Sequence, residues 1–512
     1  MPGYLHQPDA PLLAFSSHDA WTVEDSFSGV QVFGMTGSGK TSGSAQAIAR
    51  ALLQAGYGFL VCCAKPGEAE LWRRYAHECG RASELLVIGE DSEHSFNFLN
   101  YELCQGEGLQ AISNTVALFM KIMEAGRLNK EMPAAGERFW DDALGEMLGY
   151  AIAAIFAAYG RVRLSDIVQM VSSAPRGREL QDSGWRERSY CYQTLKTAFE
   201  NPAQALDPDD LNVISDYFLG TYMRLADKTR SNLEITLTST LRPFLTGRLR
   251  KLFCTSTTVI PELSHEGMII VLDMPVKTWH QDGIVAQHVF KYCWQRATER
   301  RRVRADTRPV CLFADESQFF ISSYDMEFQS TARSSRACTV YLTQSIAAYI
   351  HALKTQYVED TVNALLTNLK IKIFHLLDDP RTCEYASQRV GTSVQYRSNQ
   401  SNQSNTSVNE AESSGGAFNY GKGGNNALAS HDNWQWGQSS QDGYSRGESY
   451  SSGQSWGLQE TIDSELRPDY FARYLRTGGQ ANAYTVDGII YRPGQPFGLT
   501  GRNWLPCQFS QT

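Results

Sequence analysis

The chain has 512 residues, with a formal net charge of −8 and a sequence pI near 5.8. At roughly 150 residues per domain this length allows two to four domains. The acidic balance excludes a general attraction for nucleic acid, so any such surface must be local. Its 11 cysteines are scattered, with no C-x-x-C pair, which excludes a disulfide scaffold or a zinc finger and suits a reducing compartment.

In chain order, residues 1–28 read as a loose lead-in with Pro2, Pro8 and Pro11. Residues 29–102 alternate strand and helix signals and read as the first part of a nucleotide-binding domain. Val30–Phe33 is a short apolar strand. It is followed by Gly34-Met35-Thr36-Gly37-Ser38-Gly39-Lys40-Thr41, which fits G-x-x-x-x-G-K-[ST] at every fixed position. Ala-rich sequence from Ser42 to Leu53 supplies the helix that must follow. Glycines let backbone N–H groups curl around a phosphate, and the helix start adds its positive dipole end. Gly34, Thr36, Gly37, Ser38, Gly39, Lys40 and Thr41 are therefore the candidate nucleotide-binding residues. Lys40 would reach the β- and γ-phosphates of ATP, and Thr41 would ligate Mg²⁺. Further buried strands are expected at Phe59–Cys63 and Leu85–Gly89.

Residues 103–235 change texture. Helical periodicity covers Leu109–Met123, Phe139–Ala158, Leu164–Val171 and Val213–Leu225, and reads as an all-helical insertion domain. The longest apolar stretch, Met147–Tyr159, reads as too short for a bilayer, which takes ~20 residues. With no basic-then-apolar leader, the expectation is a soluble chain without a membrane anchor of its own. Residues 236–391 return to alternation as the second part of the nucleotide-binding domain. Strands are expected at Met268–Leu272, Val310–Ala314, Ala337–Leu342 and Ile371–His375. This alternation predicts an α/β fold with a mainly parallel central sheet. Residues 392–460 are rich in Ser, Gly, Asn and Gln, and read as a low-complexity, mobile polar insertion. Its aromatic residues suit either stacking on bases or a solvated tether. Residues 461–512 are expected to complete the nucleotide-binding domain with a strand pair around Ala483 and Ile489.

The chemistry-bearing residues fall at strand ends, where sheet enzymes place their sites. Asp315 and Glu316 close the Val310–Ala314 strand. Asp315 would hold Mg²⁺ through water, and Glu316 would polarise the attacking water. Gln344, ending the next strand, could bridge that water and the γ-phosphate. Arg333 and Arg336 lie between those strands, and either suits a transition-state contact made across a subunit border. Lys65 follows the second strand and reads as support for the site or as a plain loop lysine. The run Arg296, Arg300, Arg301, Arg302 and Arg304 suits either a helix C-terminus or phosphate contacts.

These stretches, in this order, resemble the FtsK–HerA superfamily of P-loop ATPases, and more narrowly the conjugative coupling proteins of the TraG/TraD type. The resemblance covers roughly residues 29–391 and 465–495. Besides the phosphate loop it rests on Phe139-Trp140-Asp141-Asp142-Ala143, Arg230-Ser231-Asn232 through Phe244, Leu312–Glu316, Ala332-Arg333-Ser334, Gln344-Ser345, Asn368 with Ile371–Ile373, and Ser387 with Gly391. It implies a RecA-like P-loop fold, a homo-hexameric ring, and ATP hydrolysis that engages or translocates DNA in type IV secretion or conjugation. It also implies Arg333 as the trans-acting finger, Gln344 as the γ-phosphate sensor, and relaxase or secretion-channel partners at the helical domain. Two departures stand out: family members usually begin with membrane-spanning helices, and Cys63 stands where an Asp often precedes Lys65. Cytoplasmic location, peripheral at the inner membrane through partners, is the matching expectation. The alternatives are an ATP-gated receptor for protein cargo, or a motor subunit of a defence or mobile-element complex that would work with a separate nuclease.

Overall fold

The computed structural model describes residues 7–106, 108–127, 137–353, 357–412, 416–425, 434–439 and 444–512. They fall into two compact units, residues 387–467 and the remainder.

The larger unit is organised by one nine-stranded sheet in the order β15-β14-β9-β3-β8-β7-β4-β6-β5. In chain order these are β3 (Val30–Phe33), β4 (Gly58–Cys62), β5 (Leu85–Gly89), β6 (Ile269–Asp273), β7 (Val310–Ala314), β8 (Ala337–Thr343), β9 (Ile371–Phe374), β14 (Thr485–Tyr491) and β15 (Trp504–Ser510). Neighbours from β9 to β5 run parallel, whereas β14 and β15 are antiparallel. The central strands β3, β4, β7 and β8 are buried along their whole length. Such continuous burial is what a parallel sheet covered on both faces requires. On one face the helices Gln46–Gln54 and Glu68–Glu78 contribute Ile48, Leu52, Leu53, Trp72 and Tyr75 to the core. The predicted α/β fold with a mainly parallel sheet is the observed one.

Details differ at both ends. The lead-in forms a hairpin, β1 (Pro11–Ala14) with β2 (Ala20–Thr22), and a helical turn capped reciprocally by Thr22 and Asp25. Its order follows from Trp21, Val23 and Phe27, which are buried in the main core. At the other end, the strand expected around Ala483 is absent from that position. Ala483 sits in a left-handed turn, and β14 pairs with β15 on one side and β9 on the other.

Between β5 and β6 the described residues contain helices and no strand. They run from Phe98–Leu103 through Gly108–Arg127, Glu137–Tyr159, Leu164–Ser172, Tyr190–Glu200 and Asp227–Leu245 to Gly247–Phe253. The boundary read at 235 falls inside Asp227–Leu245, because an amphipathic pattern gives no signal where one helix leaves a bundle. Arg230 is buried in that helix and donates to the Ala174 and Pro175 carbonyls at 2.6 and 2.7 Å and to Glu234 at 2.9 Å. The apolar stretch expected to be too short for a membrane belongs to a longer window. Trp140–Tyr159 is 20 residues long, enough by length and composition to cross one, but 56% of the window is buried in protein. That burial fits a core helix.

The smaller unit departs furthest from expectation. Its composition suggested no regular structure, yet β10 (Thr392–Glu412), β11 (Gly416–Asn425), β12 (Trp434–Ser439) and β13 (Tyr444–Ser464) pair antiparallel in the order β11-β10-β13-β12. Residues Thr392 to Glu412 pair without a break against Ser464 to Tyr444. Backbone hydrogen bonds can form such a ladder without an apolar face. Most side chains over 397–459, and so most of the proposed base-stacking aromatics, lie outside the described residues.

Candidate nucleotide-binding site

Every strand that carries a candidate residue points its C-terminal end at the same rim. Gly34–Thr41 leave β3, Lys65 follows β4, Asp315 and Glu316 follow β7, and Gln344 follows β8. Since β3, β8, β7 and β4 are adjacent and parallel, residues up to 310 positions apart meet there.

The phosphate loop is shaped by its glycines. Gly37 and Gly39 have φ of 80° and 83°. A Cβ on Gly39 would lie 2.5 Å from a Val486 methyl, so glycine is required both for conformation and for space. Gly34 lies beneath the loop, where a Cβ would lie 2.4 Å from Ser38 Oγ. Thr36, Gly37, Ser38, Gly39, Lys40 and Thr41 line a cavity of about 540 Å³, together with Lys65, Glu316, Gln318 and Gln344. Ser38 Oγ is buried and has no hydrogen-bond partner among the described residues. An orphan hydroxyl at the loop suits an arriving phosphate oxygen.

Charge is concentrated at Glu316. Lys65 Nζ is 2.8 Å from Glu316 Oε1 and 3.2 Å from Asp315 Oδ2, and Lys40 Nζ is 3.6 Å from Glu316 Oε1. On the other carboxylate oxygen, Gln318 Nε2 donates at 2.8 Å and Gln344 Nε2 at 3.3 Å. Burial alone would raise the Glu316 carboxyl, but Lys40, Lys65 and Gln318 outweigh it and hold it at about 2. Glu316 has a positive φ of 53°, which is uncommon for a residue with a side chain. Strain of this kind costs on the order of 1–3 kcal/mol and persists where surrounding contacts over-determine it. Burial lowers the Lys65 pKa, and Asp315 and Glu316 more than reverse this, so Lys65 is a fixed cation of the site rather than a loop lysine.

Thr41 Oγ1 donates to Asp315 Oδ2 at 2.8 Å. Two hard oxygens this close, beside a phosphate loop, fit Mg²⁺, which takes one or two carboxylates plus substrate phosphates and keeps several waters. Among the described residues no group of three or more His, Cys, Asp or Glu could hold a metal by itself.

Sequence reading missed Gln318, whose Oε1 accepts from Thr343 Oγ1 at 2.9 Å and which is thereby aimed at Glu316. Its only signal was its place two residues after Glu316. Cys63 lies in the core, its backbone held on both sides by Gln287. Arg333 is not at this rim. It precedes β8, at the opposite edge of the sheet, and its exposed guanidinium pairs with Glu24 at 2.5 Å. Arg336 also lies there, with its guanidinium 5.4 Å from the Phe27 ring. In the arginine run, Arg300 pairs with Glu102 at 3.5 Å and Arg301 donates to the Ser335 carbonyl, while Arg302 and Arg304 are exposed.

Comparisons with known proteins agree with this arrangement. The family described as "TraM recognition site of TraD and TraG" matches residues 309–423. The plasmid coupling protein TrwB in complex with the GTP analogue GDPNP superposes with a TM-score of 0.58 at 10% identity, covering 100% of this chain and 92% of that one. TrwB with the ATP analogue ADPNP gives 0.57 at 11% identity, with coverage of 100% and 92%. TrwB with ADP and Mg²⁺ gives 0.57 at 10%, with coverage of 99% and 90%. This is the fold of the plasmid coupling protein TrwB. The coupling-protein resemblance read in the sequence agrees with the family match over residues 309–423, and the fold agrees with that of TrwB. No curated protein matches the chain in sequence.

Proposed function

We propose that this chain is a Mg²⁺-dependent ATPase that works as a homo-hexameric ring and engages or translocates DNA, as a coupling protein does. The observation that carries the reading is the placement of Glu316, a buried carboxylate 3.6 Å from the phosphate-loop lysine and within reach of Gln344. Binding of ATP and Mg²⁺ is supported by the loop geometry and by the TrwB structures with ADPNP and with ADP and Mg²⁺.

Gly37, Ser38 and Gly39 wrap the phosphates with backbone N–H groups, and Lys40 turns from Glu316 to the β- and γ-phosphates. That exchange removes one cation from Glu316, which raises its basicity as substrate arrives. Glu316 then accepts a hydrogen bond from the attacking water and orients it, while Gln318 and Gln344 fix the carboxylate plane. Thr41 and Asp315 hold Mg²⁺, whose chemistry is to neutralise charge on the phosphate oxygens. Arg333, at the far edge of its own sheet, serves the site of a neighbouring subunit and must leave Glu24 to do so.

The test is steady-state ATP hydrolysis with single- or double-stranded DNA, at low and at physiological salt. Stimulation by DNA that weakens with salt is expected, since phosphate contacts release counterions. Hydrolysis indifferent to DNA favours the second reading, an ATP-gated receptor for protein cargo bound through the helices of residues 98–253. The observations on its side are the net charge of −8 and the engagement of Arg300 and Arg301 inside the fold.

A further inference from the structure

One carboxylate beside the site has no part in the account above. Glu68 opens the helix that follows Lys65, and its Oε2 accepts the Ala64 N–H at 2.7 Å. That bond fixes the side chain back toward the end of β4. Its other oxygen, Oε1, is sealed from solvent and has no hydrogen-bond partner among the described residues. Leaving such an acceptor unmade is unfavourable, the more so for a charged group. Glu68 shares the wall of a small space of about 20 Å³ with Thr41, Gln46, Tyr75 and Asp315. This volume holds about one water. A second carboxyl group therefore stands next to Thr41 and Asp315 with one oxygen waiting for a partner.

We infer that Glu68 is the second carboxylate of the Mg²⁺ site, with Oε1 holding one of the waters of the ion that Thr41 and Asp315 bind. The inference rests on the nucleotide-site reading proposed above. A divalent cation at Thr41 and Asp315 brings water that can donate to Glu68 Oε1, and it offsets the repulsion between the two carboxylates. Mg²⁺ keeps several of its waters in protein sites, so a carboxylate that reaches the ion only through water is chemically ordinary. Outer partners of this kind typically contribute 10–100-fold to metal affinity.

The test is binding of Mn²⁺ to the protein–ADP complex, followed by the electron paramagnetic resonance of free Mn²⁺. Glu68→Gln keeps a group that can accept the Ala64 N–H but removes the charge. Mn²⁺ affinity is expected to fall about 10-fold, with metal-free ADP affinity unchanged. Glu68→Ala, which empties the position, is expected to weaken Mn²⁺ to the same degree, and it serves if the Gln variant does not fold. A Mn²⁺ titration superimposable on wild type for a folded Glu68 variant overturns the inference. Asp315→Asn separates the two claims. If it weakens Mn²⁺ and the Glu68 variants do not, Glu68 alone was misassigned. If neither position matters, the Mg²⁺ site itself lies elsewhere.

Discussion

The two large sheets of this chain are built on opposite terms. In the nine-stranded sheet, β3, β4, β7 and β8 are buried throughout. In the sheet of residues 392–464, the ladder is longer but the described apolar side chains Val394, Tyr396 and Ile462 are exposed, at 53%, 65% and 77%. Both satisfy their backbone groups. The first adds the burial that offsets conformational entropy, at roughly 25 cal/mol per Å² of apolar surface. The difference explains where chemistry can live. Lysines and carboxylates at 2.8–3.6 Å need a frame that fixes them, and the rim of the buried sheet supplies it.

The largest expected effect is at that rim. Lys40→Ala removes the cation that binds the β- and γ-phosphates, and should take ATP hydrolysis below detection while thermal unfolding stays near wild type. Retained hydrolysis would mean that the buried sheet does not hold the site. Next is Arg333→Ala. Hydrolysis should fall by about 10³–10⁵-fold at concentrations where subunits assemble, with ATP affinity unchanged, as read by titration with a fluorescent ATP analogue. An unchanged rate would leave Arg333 as a surface partner of Glu24.

A third prediction sets the sheets apart by pH. His375 lies in the larger unit, with its rim position held by Ser44 Oγ at 2.7 Å and the Asp487 carbonyl at 2.7 Å. Burial lowers its pKa from 6.5 to about 4, and burial also lowers His288 to about 4 and His265 to about 3. In the unfolded chain each takes up a proton below about pH 6.5, and in the folded chain it does not until pH 4 or 3. Their contribution is therefore fully present above 6.5 and is lost as pH falls through the window down to 4. Urea midpoints of the larger unit should drop between pH 7 and 5, at about 1.4 kcal/mol per pH unit for each histidine fully engaged. His375→Gln should flatten that slope, and an unchanged slope would put the acid sensitivity elsewhere. The smallest effect belongs to the polar sheet. Thr392 pairs with Ser464, so replacing 392–464 by a short glycine linker should shift the unfolding temperature of the remainder by only a few degrees. A collapse of stability would show that the polar sheet supports the buried one.

Much of the frame was legible because it is local. Leu85–Gly89 and Val310–Ala314 are unbroken apolar runs between turn signals, Val30–Phe33 is apolar but for Gln31, and each is a strand as read. The phosphate loop and the Asp315–Glu316 pair were readable because fixed chemistry demands fixed residue types. Gln318 and Glu68 were not, since their importance depends on β8, β7 and β4 lying side by side, a pairing that no window of sequence reports. The lead-in hairpin was missed because three prolines outweighed Trp21, Val23 and Phe27. The polar ladder was missed because composition speaks about side-chain burial, and backbone pairing needs none.

The most direct test of the central claim is ATP hydrolysis by wild type and Glu316→Gln, measured side by side with and without DNA. Wild type should turn over ATP and be stimulated by DNA. Glu316→Gln should bind ATP normally but hydrolyse it about 10²–10⁴-fold more slowly under every condition. Turnover by Glu316→Gln at the wild-type rate would contradict that claim, and the carboxylate beside Lys40 would then be a structural counter-ion.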